Sequence, residues 1–378
     1  MIPPRLKLLM SARDPGAAGH MSEIARVAIQ RGDLDLHLVA QPPALDMLKS
    51  TGLPVKPFPP LTAEGPTDSR SGALIAAADA VLAAFRPDAV LVGLSGPEAG
   101  IDEALLLRAR NVPTFAMQDY WGDVNLSLGR PADLYLVMDE QAAALSRSRF
   151  QVQTAVVGAP KYASYADLDS SWLRWQVRSK PESGKERYVA WFGQPLWQYS
   201  AYAGLLAEFG AAVSVALPGA VLHYRPHPKE TAENLSRALE LMASGGVKPT
   251  AATGRDTETW LAASDVVVSA FSSCGLDNIY LNRVSPTPLG ITLYALSSPG
   301  IFDAYHACTG LVEPPEVAQG LALAAYTGKE LIANLKNAVH PDHCARVAAR
   351  INEVLPLPEN AASKVLEQIA ATCLIRRQ

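Results

Sequence analysis

The sequence lacks the signatures of several common protein classes. Its four cysteines, at 274, 308, 344 and 373, form no CxxC pair and fit reduced thiols better than a disulfide framework or a zinc site. No apolar run reaches the ~18 residues of a membrane span, and the N-terminus is too short and too charged for a signal peptide. We therefore expect a cytoplasmic protein without an integral membrane segment.

Several nucleotide-binding and metal-binding motifs are also missing. Neither GxxxxGK[ST] nor GxGxxG occurs, and no DxD motif lies in a loop suited to a metal. The formal net charge of −4 argues against a general polyanion binder, so no nucleic-acid partner is expected. A nucleotide would instead be bound by a local cationic patch.

The length and the apolar pattern predict two α/β domains. The chain has 378 residues, whereas single cores stop growing at roughly 250–300 residues. In the first half, short apolar runs alternate with alanine-rich segments of helical period, which indicates a parallel sheet covered by helices on both faces. The predicted strands are Arg5–Met10, Leu34–Ala40, Ala89–Gly93, Thr114–Met117, Leu134–Met138 and Thr154–Val157. The predicted helices are Met21–Arg31, Ala44–Ser50, Gly72–Phe85, Gly100–Arg110 and Glu140–Arg147.

A second alternation follows a polar stretch with helix breakers. Its predicted strands are Tyr188–Phe192, Ala220–Tyr224 and Asp265–Ser269, and its predicted helices are Ser200–Phe209, Thr231–Ser244, Asp256–Ala263 and Gly275–Leu281. We therefore predict a Rossmann-like domain over 1–165, a linker over 166–186 and a second Rossmann-like domain over 187–350. The segment 351–378 contains a final helix, about Ala361–Leu374, that could cross back to the first domain.

The most informative stretch is a cationic loop at the end of a predicted strand. Arg225, His227 and Lys229 lie within five residues, and prolines fix the backbone around the imidazole. A histidine and an arginine there can donate to a phosphate and offset its charge. In the alternative interpretation, His227 only ends the strand, Arg225 pairs with acids of a neighbouring helix and Lys229 lies on the surface.

A second loop places hydroxyl groups before a helix. Ser269, Ser272 and Ser273 follow a strand and precede the helix that begins near Gly275. Hydroxyls and free backbone N–H groups at a helix N-terminus form an anion site, although the serines could also simply cap the helix. Together with the cationic loop, they predict a pocket for a phosphate-bearing ligand. Gln194 begins another loop that we expect to face the same site.

The first half offers four candidates for a catalytic base. Asp14 and His20 follow the first strand, Glu98 follows the strand ending at Gly93, and Asp119 follows Thr114–Met117. The carboxyl edge of an open α/β sheet is where ligands bind. We expect Glu98 to lie in the first turn of the next helix. Asp14 or His20 could instead cap a helix beginning near Met21.

Asp119 belongs to a loop that also contains two aromatic residues, Tyr120 and Trp121. Sugars present apolar CH faces as well as hydroxyls, so aromatics beside carboxylates suit a saccharide. The alternative is that the two rings pack beneath the loop.

These motifs together resemble a known superfamily. Two Rossmann-like halves, "RPHP", "SDVVVSAFSS" followed by "LDNIYLNR", and "GLVEPPE" resemble the GT-B glycosyltransferases. Within them, the nearest resemblance is to capsule and teichoic-acid-type enzymes and bacterial sialyltransferases, whose HP and SS motifs bind a cytidine nucleotide donor. "ARDPGAAGH", "VGLSGPE", "MQDYWGD" and "VVGAPKY" resemble polysaccharide-biosynthesis proteins with the same plan.

The resemblance implies two Rossmann-like domains facing each other across a cleft. It implies a metal-independent transferase in polysaccharide or glycoconjugate biosynthesis, with the acceptor and base in the first domain and the nucleotide donor in the second. A CMP- or CDP-linked donor is favoured over a UDP-linked one, and no separate cofactor is expected. Asp277 stands where related transferases place a glutamate that contacts the ribose, or else it lies on the helix surface.

Three other functions remain open. A non-hydrolysing UDP-N-acetylglucosamine 2-epimerase shares this architecture, a CDP-polyol phosphotransferase would use a related donor, and a non-catalytic GT-B-shaped partner protein would bind nucleotide poorly. The sequence does not determine the acceptor, the stereochemical outcome or the oligomeric state.

Overall fold

The fold is described from a computed structural model. It describes residues 5–178 and 186–377, with side chains omitted for 376 and 377, so part of the predicted linker, 179–185, lies outside the described residues. The chain divides into two compact units. The first comprises the chain up to Ser164 together with the segment from Pro356 onward, and the second runs from Tyr165 to Leu355.

The first unit is built on a seven-stranded parallel sheet. Its strands are β1 (Leu6–Ala12), β2 (Leu34–Ala40), β3 (Val55–Pro57), β4 (Ala89–Val92), β5 (Thr114–Met117), β6 (Leu134–Val137) and β7 (Thr154–Val156). They lie in the order β3-β2-β1-β4-β5-β6-β7. Strands β4 and β5 are buried along their whole length, because helices cover both faces of a parallel sheet.

An α-helix follows each of the strands β1, β2, β3, β4 and β6 of this unit. These helices are α1 (Pro15–Arg31), α2 (Ala44–Ser50), α3 (Ser71–Phe85), α4 (Ile101–Arg108) and α5 (Glu140–Phe150), and the chain later returns as α15 (Ala361–Arg377). Helix α15 packs against α1 and contributes Val365, Leu366 and Ile369 to the core of the first unit. The hydrophobic core of this unit therefore requires residues from both ends of the described chain.

The second unit contains a six-stranded parallel sheet. Its strands are β8 (Tyr188–Phe192), β9 (Val221–Arg225), β10 (Pro249–Ala251), β11 (Val266–Ser269), β12 (Ile291–Ala295) and β13 (Leu323–Ala325), in the order β10-β9-β8-β11-β12-β13. Its helices are α6 (Ser170–Arg178), α7 (Ala201–Ala216), α8 (Ala232–Ala243), α9 (Thr257–Ala263), α10 (Cys274–Val284), α11 (Pro299–Thr309), α12 (Pro315–Ala318), α13 (Gly328–Ala338) and α14 (Pro341–Val354).

Both units are Rossmann-like, as the strand-helix alternation predicts. In each sheet the order reverses beside the unit's first strand, between β1 and β4 in the first unit and between β8 and β11 in the second. Open α/β sheets bind their ligands outside the carboxyl ends of the strands at such reversal points. None of the helices among the described residues is long and apolar enough to span a lipid bilayer.

Several elements differ from the sequence-based prediction. Strands β3, β10, β12 and β13 and helices α11–α14 lie outside the predicted elements. Helix α6 lies within the range predicted to be a linker, where it packs against α9 and pairs Arg174 and Arg178 with Asp265. Helix α1 begins at Pro15, whereas the sequence indicated a loop as far as His20. Proline is well suited to the first helical position, and the small residues that suggested a loop are required by close packing instead.

Candidate functional site

Three loops leave neighbouring strands of the second unit side by side. Strand β8 lies between β9 and β11, with Arg225 of β9 opposite Phe192 and Val268 of β11 opposite Trp191. Neighbouring strands are about 4.8 Å apart, so the loops that follow them emerge close together. The sheet thus brings three loops to one edge. They are the loop after β8 that contains Gln194, the cationic loop after β9, and the loop after β11 with Ser269, Ser272 and Ser273, which we call the serine turn.

Gln194 connects two of these loops. Its side-chain oxygen accepts a hydrogen bond from the backbone N–H of Phe271 at 2.8 Å, and its own backbone N–H donates to the Tyr202 hydroxyl at 3.4 Å. The side-chain nitrogen has no hydrogen-bond partner among the described residues. Gln194 therefore offers an N–H donor at the reversal point between β8 and β11.

His227 is held as a hydrogen-bond donor. Its Nδ1 accepts a hydrogen bond from the backbone N–H of Lys229 at 3.1 Å, so in the neutral ring the proton resides on Nε2. Burial and then the nearby Lys229 ammonium lower the pKa of His227 below its usual range. Near neutral pH the ring is an uncharged Nε2–H donor, which suits a phosphate oxygen.

The two other cations of the loop have different surroundings. The Arg225 guanidinium donates to the carbonyl of Ala252 at 2.9 Å, and no ion pair involves Arg225 among the described residues. Burial, followed by the Asp277 carboxylate, raises the pKa of the Cys274 thiol to about 12, and the Arg225 guanidinium partly opposes this rise. The positive charge of Arg225 therefore reaches the start of α10. Lys229 is exposed.

The serine turn is organised differently from a simple N-cap pair. The Ser269 hydroxyl, nearly inaccessible, accepts from the backbone N–H of Ser272 at 3.0 Å, and the Ser272 hydroxyl accepts from that of Cys274 at 3.3 Å. Ser273 occupies the N-cap position with helical backbone angles, and within the described part of the chain its side chain makes no capping bond. Its exposed hydroxyl remains available to a ligand.

Asp277 lies in the first turn of α10, where it belongs to an acidic group. Burial, followed by the Asp277 and Glu258 carboxylates, raises the pKa of Tyr165 well above its usual value, and the Tyr165 hydroxyl donates to Glu258 at 3.2 Å. Asp277 is therefore close to Tyr165 and Cys274. The sequence pointed to Asp277 but not to Glu258 or Tyr165.

In the first unit, Asp14 occupies the reversal point between β1 and β4. It stands at the N-cap position of α1, its carboxylate accepts from the backbone N–H of Gly96 at 3.2 Å, and its own N–H donates to the Ser95 hydroxyl at 3.3 Å. Ser95 and Gly96 follow β4. Asp14 is thus a half-buried carboxylate that joins the two loops at the sheet edge where ligands bind.

His20 and Asp119 are in direct contact, and Lys161 completes the group. His20 Nε2 lies 3.2 Å from Asp119 Oδ1, and Lys161 Nζ lies 2.8 Å from the same oxygen. The backbone N–H of Lys161 donates to His20 Nδ1 at 3.3 Å, so both ring nitrogens of His20 are engaged. Burial lowers the pKa of this completely buried histidine. His20 is therefore a structural partner of Asp119 rather than an accessible base.

Asp119 is held as a carboxylate. Burial by itself would raise its pKa, but the Lys161 ammonium and the His20 ring outweigh that effect and hold the pKa well below its usual range. The carboxylate lies directly against Gly16 of α1, where a Cβ atom would overlap it. This close approach explains why residue 16 is a glycine. The lowered pKa makes Asp119 a poor proton acceptor near neutral pH.

Glu98 and the aromatic loop differ from their predicted positions. Glu98 precedes α4 instead of lying in its first turn, and its backbone carbonyl accepts from Arg13 and from Asn125. Trp121 is almost completely buried, and its indole N–H donates to Asp139 at 2.9 Å and 3.0 Å. The interpretation that packs this ring beneath the loop is therefore correct, and Trp121 offers no face to a sugar.

A buried pair of acids beneath Asp14 was not expected from the sequence. Asp102 accepts from the hydroxyls of Ser11 at 2.5 Å and Ser95 at 3.0 Å, and the next residue, Glu103, accepts from the backbone N–H of Gly100 at 2.8 Å. Burial raises the pKa of Asp102 to about 6, and burial together with Asp102 raises that of Glu103 to about 8. Acidic residues in the first turn of a helix are usually exposed to solvent. The sequence alone therefore gives no sign that Asp102 and Glu103 are buried.

The structure therefore gathers the predicted residues other than Glu98 and Lys229 into one group per unit. Asp14, His20 and Asp119 belong to the carboxyl edge of the first sheet, and Gln194, Arg225, His227, Ser269, Ser272, Ser273 and Asp277 belong to that of the second. Sequence reasoning missed Lys161, which contacts Asp119 from another segment, and the role of Glu230, which accepts from the backbone N–H of His227 within the cationic loop. In the described ranges, no group of three or more His, Cys, Asp or Glu residues could hold a metal ion.

Comparisons with known proteins identify the fold. No family model and no curated protein matches the sequence. A protein assigned as UDP-N-acetylglucosamine 2-epimerase from Listeria monocytogenes has a similar structure, with a TM-score of 0.69, 13% identity and coverage of 98% of this chain and 97% of that one. The UDP-GlcNAc 2-epimerase from Neisseria meningitidis, solved with UDP-GlcNAc, is similar with a TM-score of 0.65 and 13% identity. The match covers 97% of this chain and 100% of that one.

A glycosyltransferase from Rickettsia africae is also similar, with a TM-score of 0.55, 10% identity and coverage of 99% of this chain and 96% of that one. At these identities the comparisons establish the fold alone. The chain has the GT-B-type fold of two Rossmann-like units, which it shares with nucleotide-sugar epimerases and glycosyltransferases.

Proposed function

We propose that the protein is an enzyme that acts on a nucleotide-activated sugar and binds the nucleotide phosphates in its second unit. The observation that carries this proposal is the convergence of Gln194, the cationic loop and the serine turn at three adjacent strand ends. They supply an amide donor, an imidazole donor, a guanidinium and the N-terminus of α10. These are the groups that bind phosphate in proteins.

The same groups can stabilise the departing nucleotide. Charge that develops on a phosphate oxygen is offset by preorganised donors and cations, here the Arg225 guanidinium and the His227 Nε2–H. This chemistry requires no divalent cation, so we expect nucleotide binding and turnover to persist in EDTA. Complete loss of turnover on chelation, restored by Mg²⁺ or Mn²⁺, would overturn the metal-independent mechanism.

Of the possible reactions, 2-epimerisation of UDP-N-acetylglucosamine is the better supported. Two of the similar structures carry that activity in their names, and one of them contains UDP-GlcNAc. Transfer of a glycosyl group to a saccharide or other hydroxyl acceptor is the second candidate, supported by the similar glycosyltransferase and by the HP and SS motifs. Either reaction needs a proton acceptor, and Asp14 is the first-unit carboxylate best placed to serve.

A nucleotide panel followed by two activity measurements tests these proposals. Thermal shift and calorimetry with CMP, CDP, UDP, GDP and dTDP identify the nucleotide, because a bound ligand raises apparent stability. Incubation with UDP-GlcNAc and an NMR record of the anomeric protons detects epimerisation. Release of CMP from CDP-glycerol would identify a polyol-phosphate transferase. Failure to bind any of the five nucleotides would leave a non-catalytic partner protein as the function.

Two substitutions locate the nucleotide. His227→Ala and Ser273→Ala should each weaken binding about ten- to a hundredfold, since each removes a hydrogen-bond donor to the charged phosphate. His340→Ala removes an exposed histidine of the same unit and serves as the matched control. Unchanged affinity in a folded His227→Ala protein would place the nucleotide elsewhere.

A further inference from the structure

The Glu230 carboxylate joins three segments of the second unit. Its Oε1 accepts from the indole N–H of Trp197 at 2.7 Å and from the Tyr224 hydroxyl at 2.8 Å. Its Oε2 accepts from the backbone N–H of His227 at 3.2 Å. Trp197 follows β8, Tyr224 belongs to β9 and His227 follows β9. One side chain therefore fixes the cationic loop against its neighbours.

The backbone of the cationic loop closes on the same residue. The backbone N–H of Glu230 donates to the carbonyl of His227 at 2.8 Å, which forms a tight turn. Within that turn, the N–H of Lys229 donates to His227 Nδ1. The position of the turn thus determines which ring nitrogen of His227 carries the proton. Gly193 leaves room for this arrangement, since a Cβ there would come within 3.0 Å of Glu230 Oε2.

The negative charge of Glu230 disfavours the binding of a phosphate by the residues around it. A carboxylate beside a phosphate site repels the anion, so its presence calls for a compensating role. A carboxylate accepts through both oxygens, and here the donors are an indole N–H, a phenol and a backbone N–H. A glutamine would turn its NH₂ group toward one of these donors. This set of donors suits a carboxylate that positions the cationic loop and does not bind the ligand itself.

We propose that Glu230 is a positioning residue that holds His227 as the Nε2–H donor to the nucleotide phosphate. The inference rests on the proposed function, because it gives Glu230 a part in the same phosphate site. Glu230 itself does not contact the ligand. It acts through the backbone of the His227–Glu230 turn.

The sign of the effect of Glu230→Gln on nucleotide affinity tests this role. If Glu230 only contributed charge, its neutralisation would leave binding unchanged or strengthen it. We expect binding that is about tenfold weaker, because the donor is lost from its position. Glu240→Gln, which removes the same charge from an exposed position of α8, is the matched control and should not weaken binding. Equal or tighter binding by folded Glu230→Gln would overturn the proposal.

A double-mutant cycle adds a readout that a merely structural role would not produce. In a His227→Ala background, Glu230→Gln should have little further effect on affinity, because it acts through the missing ring. Additive losses would contradict the proposal.

Imidazole ¹⁵N shifts of the ligand-free protein provide an independent measurement. The wild type should show His227 protonated on Nε2, and Glu230→Gln should show mixed tautomers. This measurement remains decisive even if the wild type binds no nucleotide, which would refute the proposed function alone. An unchanged tautomer in Glu230→Gln would refute the positioning role.

Discussion

Among the first-unit carboxylates, Asp14 is the one whose surroundings suit proton transfer. Asp119 is committed to Lys161 and His20, and its lowered pKa leaves it ionised and weakly basic. Asp102 is completely buried, with both oxygens bonded to serine hydroxyls. Asp14 is half-buried at the sheet edge and accepts one backbone N–H. Asp14 is therefore our leading candidate for the base, whereas both ring nitrogens of His20 are engaged by Asp119 and Lys161.

We therefore expect Asp14→Asn to lower turnover about 10²- to 10⁴-fold, the usual contribution of a positioned base. Asparagine can still accept from Gly96, so the fold and the affinity for nucleotide should remain. Turnover and nucleotide affinity are measured for the same variant. Asp35→Asn, at an exposed position of the same unit, is the control. Full activity in Asp14→Asn would transfer the role to Glu98, and a parallel loss of nucleotide affinity would contradict the division of tasks between the units.

At the scale of elements, helix α1 contains a glycine whose lack of a side chain lets Asp119 approach the helix backbone. Gly16 is helical, and an alanine there would overlap the Asp119 carboxylate. We expect Gly16→Ala to lower the free energy of unfolding by about 1–3 kcal/mol through overpacking and to displace Asp119 from His20 and Lys161. Urea unfolding measures the first effect, and the His20 NMR signals report the second.

Gly72 in α3 provides the matched control, because beyond its chain neighbours and its own helix no heavy atom of the described residues lies within 4 Å of the Cβ position there. Gly72→Ala should be neutral or stabilise by about 0.5–1 kcal/mol, since alanine favours helix more than glycine does. Equal effects of the two substitutions would show that the approach of Asp119 to Gly16 has no energetic importance.

The sequence could predict the two Rossmann-like units because buried parallel strands are continuous apolar runs, as in Tyr188–Phe192. It missed the edge strands β3, β10 and β13, which have three residues each, and it also missed the five-residue buried strand β12. It placed the start of α1 too late because small residues indicate a loop unless their neighbours are known. Motif residues such as His227 could be found, whereas Lys161 and Glu230 could not, since their roles depend on contacts with distant segments.

At the scale of the whole molecule, the buried acids predict a pH dependence of stability. The folded-state pKa values of about 6 for Asp102 and about 8 for Glu103 exceed the usual carboxyl values near 4. Between about pH 4 and pH 8 the folded state therefore holds more protons than the unfolded state. The contribution of this pair to the free energy of unfolding falls as pH rises through that window, by up to about 1.4 kcal/mol per pH unit for each proton.

Chemical unfolding from pH 5 to pH 9 measures this effect as a difference between proteins. Asp102→Asn and Glu103→Gln should each flatten the fall of stability relative to the wild type, and the exposed Glu240→Gln should retain the wild-type slope. A wild-type slope that neither buried substitution changes would show that the two acids are ionised throughout the range.

Helix α15 has a further consequence for how the protein is made. Val365, Leu366 and Ile369 complete the core of the first unit, yet they are synthesised after the whole of the second unit. During translation, the second unit can fold while the first unit still lacks part of its core, which reverses the usual order of N-terminal domain first. We expect nascent chains arrested after Leu355 to carry a protease-resistant second unit and a protease-sensitive first unit. Equal resistance of both units in such chains would show that α15 is dispensable for folding.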